Sequence, residues 1–166
     1  IIDPNDKSTV LIFGDAATVS LLQNQKNGLA AINYNFGSRG IDYKSLINKD
    51  KLYMNGRAVF SFSASVIPKS IEKLLVDNHI DKAEVNQWYF HQGSKYIVDT
   101  ITKRLNLNPD KVVFDMYNYG NTVSSSIPIL LNKNFPYLKA KEKIVMSGFG
   151  VGLSWASAIF EMKKDN

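Results

Sequence analysis

The chain has 166 residues, enough for about one domain, and 45% of them are hydrophobic, which excludes a disordered chain and predicts a packed core. Its 20 Lys and Arg residues outnumber 15 Asp and Glu, and because the charge is spread over several segments, a nucleic-acid site is not expected. Cysteine is absent, which excludes disulfides, thiolate metal sites and a cysteine nucleophile within these residues.

The N-terminus has none of the features of a targeting segment. It reads Ile1-Ile2-Asp3-Pro4, with no initiator Met and no basic stretch before an apolar one. No run approaches the roughly 20 apolar residues that a membrane span needs. We therefore expect a cytoplasmic chain that makes no membrane contact and is part of something longer.

The first half of the chain predicts two strands and a helical region. Residues 9–13 and 29–34 are short apolar runs typical of strands, and the polar, turn-rich residues 37–51 predict a loop. Apolar residues are frequent in 58–67, and those within 71–75 recur at the i, i+3, i+4 spacing of an amphipathic helix. Because proline is tolerated in a first turn, we expect Pro68 to begin a second helix there.

The second half alternates strands and helices. We predict strands over 88–90, 112–115, 144–147 and 153–159, and helices that start near Ser94 and over 122–131. Gly148, Gly150 and Gly152 predict a turn, so the last two strands should form a hairpin. Helices packed on a mixed sheet give an α/β fold.

His91 is the first candidate for chemistry. It follows a predicted strand and precedes a helix, at the sheet edge where open α/β proteins bind ligands. Imidazole donates or shuttles a proton near neutral pH. The alternative is a structural histidine bonded to the backbone.

Asn121 occupies an equivalent junction and is the second candidate. Its amide can donate to a carbonyl oxygen that gains negative charge, whereas alone it could equally be a helix cap or turn residue. Together with His91 it could provide two neutral donors to one thioester oxygen.

Other sites find little support in the sequence. The glycine-rich turn lacks the Lys-Ser/Thr ending of a phosphate loop, although its small residues let backbone N–H groups approach a substrate. His79 and His91 are far apart and no carboxylate follows at ligand spacing, so no metal is predicted. No serine stands in the Gly-x-Ser-x-Gly elbow of α/β-hydrolases.

Five ordered motifs resemble the C-terminal half of the β-ketoacyl-acyl-carrier-protein synthase III family, which belongs to the thiolase superfamily. The paired motifs, this chain first, are FGDAAT (13–18) with FGDGAGA, MNGRAVF (54–60) with MNGREVF, HQGS (91–94) with HQAN, GNTVSSSIP (120–128) with GNTSAASIP, and GFGVGLSW (148–155) with GFGAGLTW. The resemblance implies a thiolase-like fold. It also divides the chain into residues 1–50, the closing strands of an N-terminal half, and 51–166, the C-terminal domain.

The resemblance implies a role for six residues. His91 and Asn121 match the catalytic His and Asn that hold the malonyl thioester carbonyl during decarboxylation. Phe149 matches a Phe of the active-site wall, and the backbone N–H of Val151 an oxyanion donor. Arg57 and Phe60 fall in the segment that lines the pantetheine tunnel.

The resemblance also implies substrates and partners. The family condenses acyl-CoA with malonyl-acyl-carrier protein in fatty-acid biosynthesis, as homodimers, and its substrates are CoA and phosphopantetheine thioesters rather than permanently bound cofactors. Its Cys nucleophile lies in the N-terminal half, at a helix N-terminus that stabilises the thiolate. This chain should therefore need that missing half and be inactive alone.

Several positions depart from the family pattern. Ser94 replaces the Asn of HQAN and can still cap the next helix. Tyr96 stands where an Arg often meets the carrier protein, and Val151 replaces Gly or Ala and narrows the acyl pocket. These departures leave two alternatives: a related thiolase-fold condensing enzyme of specialised or polyketide metabolism, and a non-catalytic interaction domain.

Overall fold

A computed structural model describes residues 1–24 and 27–164 of the protein. A five-stranded mixed sheet has the order β1-β7-β6-β4-β5, and β2 pairs with β3 in a separate ribbon. The helices and strands are β1 (Gly28–Ser38), β2 (Leu46–Asn48), β3 (Leu52–Met54), α1 (Gly56–Asp77), β4 (Val85–Phe90), α2 (Lys95–Arg104), β5 (Val112–Val113), α3 (Ser126–Asn134), β6 (Lys143–Gly150) and β7 (Ser154–Lys163).

The sheet is covered by helices on both faces. Residues of β4 alternate between the faces, as the two-residue period of a strand requires: Trp88 and Phe90 pack toward α1 and α2, and Tyr89 toward α3. All three are fully buried. β4 runs parallel to β5 and β6, so the carboxyl ends of these strands meet at one edge of the sheet.

α1 is one continuous helix, and the prediction that Pro68 begins a second helix is wrong. Pro68 lies buried in the interior of the helix, where its ring removes one i→i−4 hydrogen bond. Ile67 and Ile71 on either side are fully buried against the core. Burial of this apolar stripe stabilises the helix across the proline. The helix begins at Gly56 and is capped by Asn55, whose side chain accepts a hydrogen bond from the backbone N–H of Ala58.

The N-terminal strand prediction is also wrong. Residues 9–12 form turns held by Asp6, and only Phe13 makes a bridge, which is parallel and joins it to Asn121. Asp6 and its local hydrogen bonds to Ser8 and Thr9 offer the backbone an alternative to strand pairing. The predicted strand at 29–34 is present as the longer β1.

β1 lies at one edge of the main sheet, where it pairs antiparallel with β7. Residue 50, the predicted domain boundary, therefore does not separate two sheets, and the division itself stays a prediction. The predicted loop at 37–51 contains a 3-10 turn and β2.

The remaining predictions in the second half hold with shifted ends. α2 begins after Ser94, whose side chain caps it, and β6 and β7 form the expected hairpin. β5 is shorter than predicted. Gly148 and Gly150 belong to β6, so the turn itself is 151–153. α3 begins at Ser126, which places Pro128 in the first turn, where its missing N–H costs little.

Within residues 1–24 and 27–164, no helix combines the length and apolar character needed to cross a bilayer. The same residues contain no cluster of three or more His, Asp or Glu side chains that could hold a metal ion.

Candidate active site

A cavity of about 530 Å³ opens at the carboxyl edge of the sheet, where β4 and β6 end. His91, Asn121, Phe149 and Val151 all line it, so the structure brings together four of the six predicted site residues. Its other walls are predominantly apolar. The cavity has the composition expected of a small-molecule site, with few polar groups set in a hydrophobic surface.

The backbone of His91 is fixed by the parallel ladder between β4 and β6. Its N–H donates to the carbonyl of Ser147 at 2.9 Å, one step beyond the last residue of β4. The neighbouring Gln92 is buried and spans two chain segments, since its side chain donates to the Phe90 carbonyl and accepts from the N–H of Asp115. The ring of His91 therefore projects from a rigid sheet edge.

The His91 ring is partly buried and neutral at physiological pH. Desolvation lowers the pKa of His91 to about 4, and the backbone carbonyl of Val123 opposes the shift only in part. The Nδ1 atom lies 2.9 Å from the hydroxyl oxygen of Ser126. Nε2 is the ring nitrogen that remains for a ligand in the cavity. A neutral imidazole donates from only one of its nitrogens, so the chemistry depends on the tautomer.

Asn121 is positioned by the N-terminal segment. Its backbone N–H donates to the carbonyl of Ile12 at 2.8 Å, and its carbonyl accepts from the N–H of Gly14 at 3.1 Å. Gly14 permits this approach because a Cβ there would lie 1.9 Å from the carbonyl oxygen of Tyr119. The segments that carry the FGD and GNT motifs are therefore joined by backbone hydrogen bonds.

The Asn121 side chain is oriented by a local hydrogen bond. Its Oδ1 accepts from the backbone N–H of Val123 at 2.9 Å, which leaves the Nδ2 amide hydrogens available as donors. Val123 holds a left-handed backbone with φ of 53°, a strained conformation for a β-branched residue. This strain is located in the turn that orients the amide.

Phe149 and Val151 form the wall contributed by the hairpin. The ring of Phe149 meets that of His91 edge to face, with centroids 5.4 Å apart. Val151 lies in the turn and is 60% exposed. The adjacent Gly152 has φ of 136°, a backbone conformation that glycine adopts without strain.

Arg57 and Phe60 are not brought to the cavity wall. Arg57 is exposed in the first turn of α1, and Phe60 stacks on Tyr96 of α2 with ring centroids 4.8 Å apart. Instead, Val59, Phe62 and Ser63 of the same helix line the cavity. The MNG motif drew attention to this helix, but the face that points inward depends on how the helix packs.

Sequence reasoning also missed Ser126. This residue is 4% exposed, lines the cavity and contacts His91 through its hydroxyl group. The only signal was its position within GNTVSSSIP, five residues after Asn121.

Comparisons with known proteins agree with this architecture. The family profile described as 3-oxoacyl-[acyl-carrier-protein (ACP)] synthase III C terminal matches residues 75–162. A β-ketoacyl-[acyl-carrier-protein] synthase III from Lactococcus lactis is 32% identical over 181 residues, which cover 98% of this chain and 56% of that protein. One from Streptococcus agalactiae is 32% identical over 179 residues, covering 98% and 55%.

Solved structures give the same result. The crystal structure of 3-oxoacyl-(acyl carrier protein) synthase III from Pseudomonas aeruginosa superposes with a TM-score of 0.86 at 26% identity, over 99% of this chain and 55% of that one. The enzyme from Thermus thermophilus gives 0.83 at 26% identity, over 99% and 56%. The chain thus spans about half the length of the relatives it matches. It has the thiolase-like fold expected from its motifs, and it belongs to the 3-oxoacyl-[acyl-carrier-protein] synthase III family, matching its C-terminal part.

Proposed function

We propose that this chain supplies the malonyl-activating half of a synthase III that carries out decarboxylative Claisen condensation in fatty-acid biosynthesis. The observation that carries the proposal is the convergence of His91 and Asn121 on one cavity. Hydrogen bonds within the protein hold both side chains, through Nδ1 of His91 and Oδ1 of Asn121. Nε2 of His91 and Nδ2 of Asn121 remain to contact a ligand.

In the proposed reaction, the two nitrogens donate to the thioester carbonyl oxygen of malonyl-acyl-carrier protein. The bond between C2 and the carboxylate breaks, carbon dioxide leaves, and the electron pair is delocalised onto the thioester oxygen as an enolate. Two fixed donors in a desolvated cavity stabilise that developing charge without reorganising at the moment of reaction. A neutral His91 suits this role, because decarboxylation creates charge that needs a hydrogen bond and no net proton transfer.

The enolate carbon then attacks an acyl group carried as a thioester on a cysteine. A carbon–carbon bond forms, the carbon–sulfur bond to the cysteine breaks, and the thiolate is released. The backbone N–H of Val151 would donate to the oxyanion of the tetrahedral intermediate, and Phe149 would exclude water beside the reacting thioester. The cysteine would come from an N-terminal half, since this chain has none.

The proposal includes the partners of the family. Acyl-CoA would load the cysteine and acyl-carrier protein would present malonate, so both substrates are pantetheine thioesters and no permanently bound cofactor takes part. We also propose a homodimer that acts in the cytoplasm. Arg57 and the stacked Phe60 and Tyr96 would lie along the route of the pantetheine arm, outside the cavity.

The test uses the full-length protein, in which this chain follows the proposed N-terminal half. Substituting His91→Ala, or Asn121→Asp, should lower malonyl decarboxylation about 100-fold or more while the cysteine is still acylated at the wild-type rate. Asn121→Asp is informative because it keeps the acceptor for Val123 N–H, while it replaces the amide donor by a carboxylate oxygen whose negative charge also opposes an enolate. Malonyl decarboxylation unchanged in both variants would eliminate the proposed role of His91 and Asn121.

A further inference from the structure

The β2–β3 ribbon forms one wall of the cavity, and its register decides which side chains face inward. Leu46 pairs with Met54, and Asn48 pairs with Leu52. Directly opposed residues of an antiparallel pair lie on the same face, and side chains alternate between the faces along each strand. These four residues therefore share one face of the ribbon, and all four line the cavity.

The other face of the ribbon points away from the cavity. It carries Ile47 and Tyr53, which pair with each other and do not line the cavity. Tyr53 is 56% exposed. The register and the cavity lining therefore agree that the side chain of Asn48 is directed inward, although the residue directly precedes the polar turn at 49–51.

Asn48 is the one polar residue among the four on the inward face. Leu46 is 8% exposed and belongs to the core, whereas Asn48 is exposed and reachable from the open side of the cavity. Among the described residues, none forms a hydrogen bond with its carboxamide. A carboxamide has two N–H donors and one acceptor oxygen. On an otherwise apolar wall, it favours a ligand that carries a hydrogen-bonding group at the same place.

The place of Asn48 along the ribbon indicates which part of a thioester it meets. Met54 leads into α1, whose first turn carries Arg57 on the proposed route of the pantetheine arm. Asn48 and Leu52 lie two residues farther along their strands, roughly 7 Å from the Met54 end. A substrate that enters past the start of α1 therefore reaches Asn48 with its acyl chain and not with its pantetheine arm.

We propose that Asn48 is a specificity-determining residue, which selects acyl thioesters whose chain carries a neutral hydroxyl or carbonyl group. The carboxamide donates to that oxygen, or accepts from the hydroxyl, while Leu46, Leu52 and Met54 contact the methylene groups around it. This inference rests on the proposed function, because it takes an acyl thioester as the ligand. Recognition of the acyl chain can be measured without any reaction.

The test is isothermal titration calorimetry of the full-length protein with S-alkyl-CoA thioethers, which cannot transfer their alkyl chain. Each thioether of four to six carbons is compared with its counterparts that carry one hydroxyl group at successive carbons. At least one hydroxylated analogue should bind about 5-fold more tightly than its parent, because one neutral hydrogen bond contributes about 1 kcal/mol. Asn48→Leu should abolish this preference, since it makes the inward face wholly apolar at similar side-chain volume.

Tyr53→Phe is the matched control. It removes a hydrogen-bonding group from the outward face of the same ribbon, so it should leave the preference for the hydroxylated analogue unchanged. Asn48→Ala provides a second variant, because it removes the carboxamide without adding an apolar side chain that could impair folding. It should also abolish the preference.

The outcomes separate this inference from the proposed function. Failure of the wild type to bind any hydroxylated analogue more tightly than its parent overturns the inference, and so does a preference that persists in both Asn48 variants. An equal loss of affinity for parent and hydroxylated analogues would place the contact on the pantetheine arm and overturn selection of the acyl chain. A preference that depends on Asn48, in a protein that does not decarboxylate malonyl thioesters, would support the inference and reject the condensation mechanism.

Discussion

The side chains of His91 and Asn121 are each oriented by a hydrogen bond on the side away from the cavity. Ser126 engages Nδ1 of His91, and the N–H of Val123 engages Oδ1 of Asn121. Each contact engages one polar atom of the side chain and leaves the other, Nε2 of His91 or Nδ2 of Asn121, for a ligand. The turn at 122–126 therefore orients both donors, which makes it as important to the site as the two side chains that face the cavity.

The neutral state of His91 has a consequence for acid stability. The pKa of His91 is about 4 in the folded chain and about 6.5 when the ring is solvated. The unfolded state therefore binds more protons between these values, and folding loses stability as pH falls from 6.5 to 4. The pKa difference corresponds to a loss of about 2 kcal/mol in the free energy of unfolding, after a reduction for the partial exposure of the ring. His91→Gln should remove this loss.

Urea unfolding of wild type and His91→Gln at pH 7.5 and pH 4.5 checks this prediction. Carboxylates that are paired in the folded state also lose stability in acid, so the relevant quantity is the difference between the two proteins at each pH. That difference should shift in favour of His91→Gln at the lower pH. An equal loss of stability in both proteins would contradict a neutral, desolvated imidazole.

The motifs predicted four residues that share the cavity, and the α/β pattern explains this where a residue lies at a strand end. His91 follows β4 and Phe149 lies near the end of β6, and parallel strands bring such residues to one edge. The contact between Ser126 and the His91 ring could not be predicted in this way. It depends on the rotation of α3 relative to β4, which is set by packing and not by local sequence.

At the scale of elements, tertiary packing overrides local signals in α1 and the N-terminal segment. Proline predicted a helix start at 68, yet burial of the residues around it maintains one helix from Gly56–Asp77. Residues 9–13 have strand propensity but no neighbouring strand to pair with beyond the bridge at Phe13. Propensity is a weak indicator where the partner strand or the core decides the conformation.

The start of α2 gives a prediction at this scale. Ser94 accepts the N–H of Ile97 at 3.2 Å, and it stands where the related motif has Asn. Ser94→Ala should lower the free energy of unfolding by about 1 kcal/mol, because a backbone donor loses its partner, whereas Ser94→Asn should change it by only a few tenths. Chemical denaturation of the three proteins measures both differences. A loss in Ser94→Asn as large as in Ser94→Ala would show that the cap does not set the stability of this helix start.

At the scale of the whole molecule, large apolar side chains are exposed in the N-terminal segment and on β1, at the edge of the main sheet. Examples are Val19, Leu21 and Leu22 in the N-terminal segment and Tyr34 and Phe36 on β1. Isolated apolar residues on a surface are common, but adjacent ones usually mark an interface. The relatives are nearly twice as long as this chain. We expect the proposed N-terminal half to cover these segments.

Mixing this chain with a separately produced N-terminal half tests that expectation. The two should form a one-to-one complex, detected by analytical ultracentrifugation, that recovers condensation activity only when the N-terminal half carries its cysteine. Val19 is 99% exposed, so Val19→Asp should leave the chain folded and weaken the complex about 10-fold or more, since a buried charge without a partner opposes association. Val76 on α1 is 72% exposed and provides the matched control, because Val76→Asp makes the same change outside these segments and should leave the complex intact. Equal affinities for both variants would mean that the exposed N-terminal segment does not form the contact between the two halves.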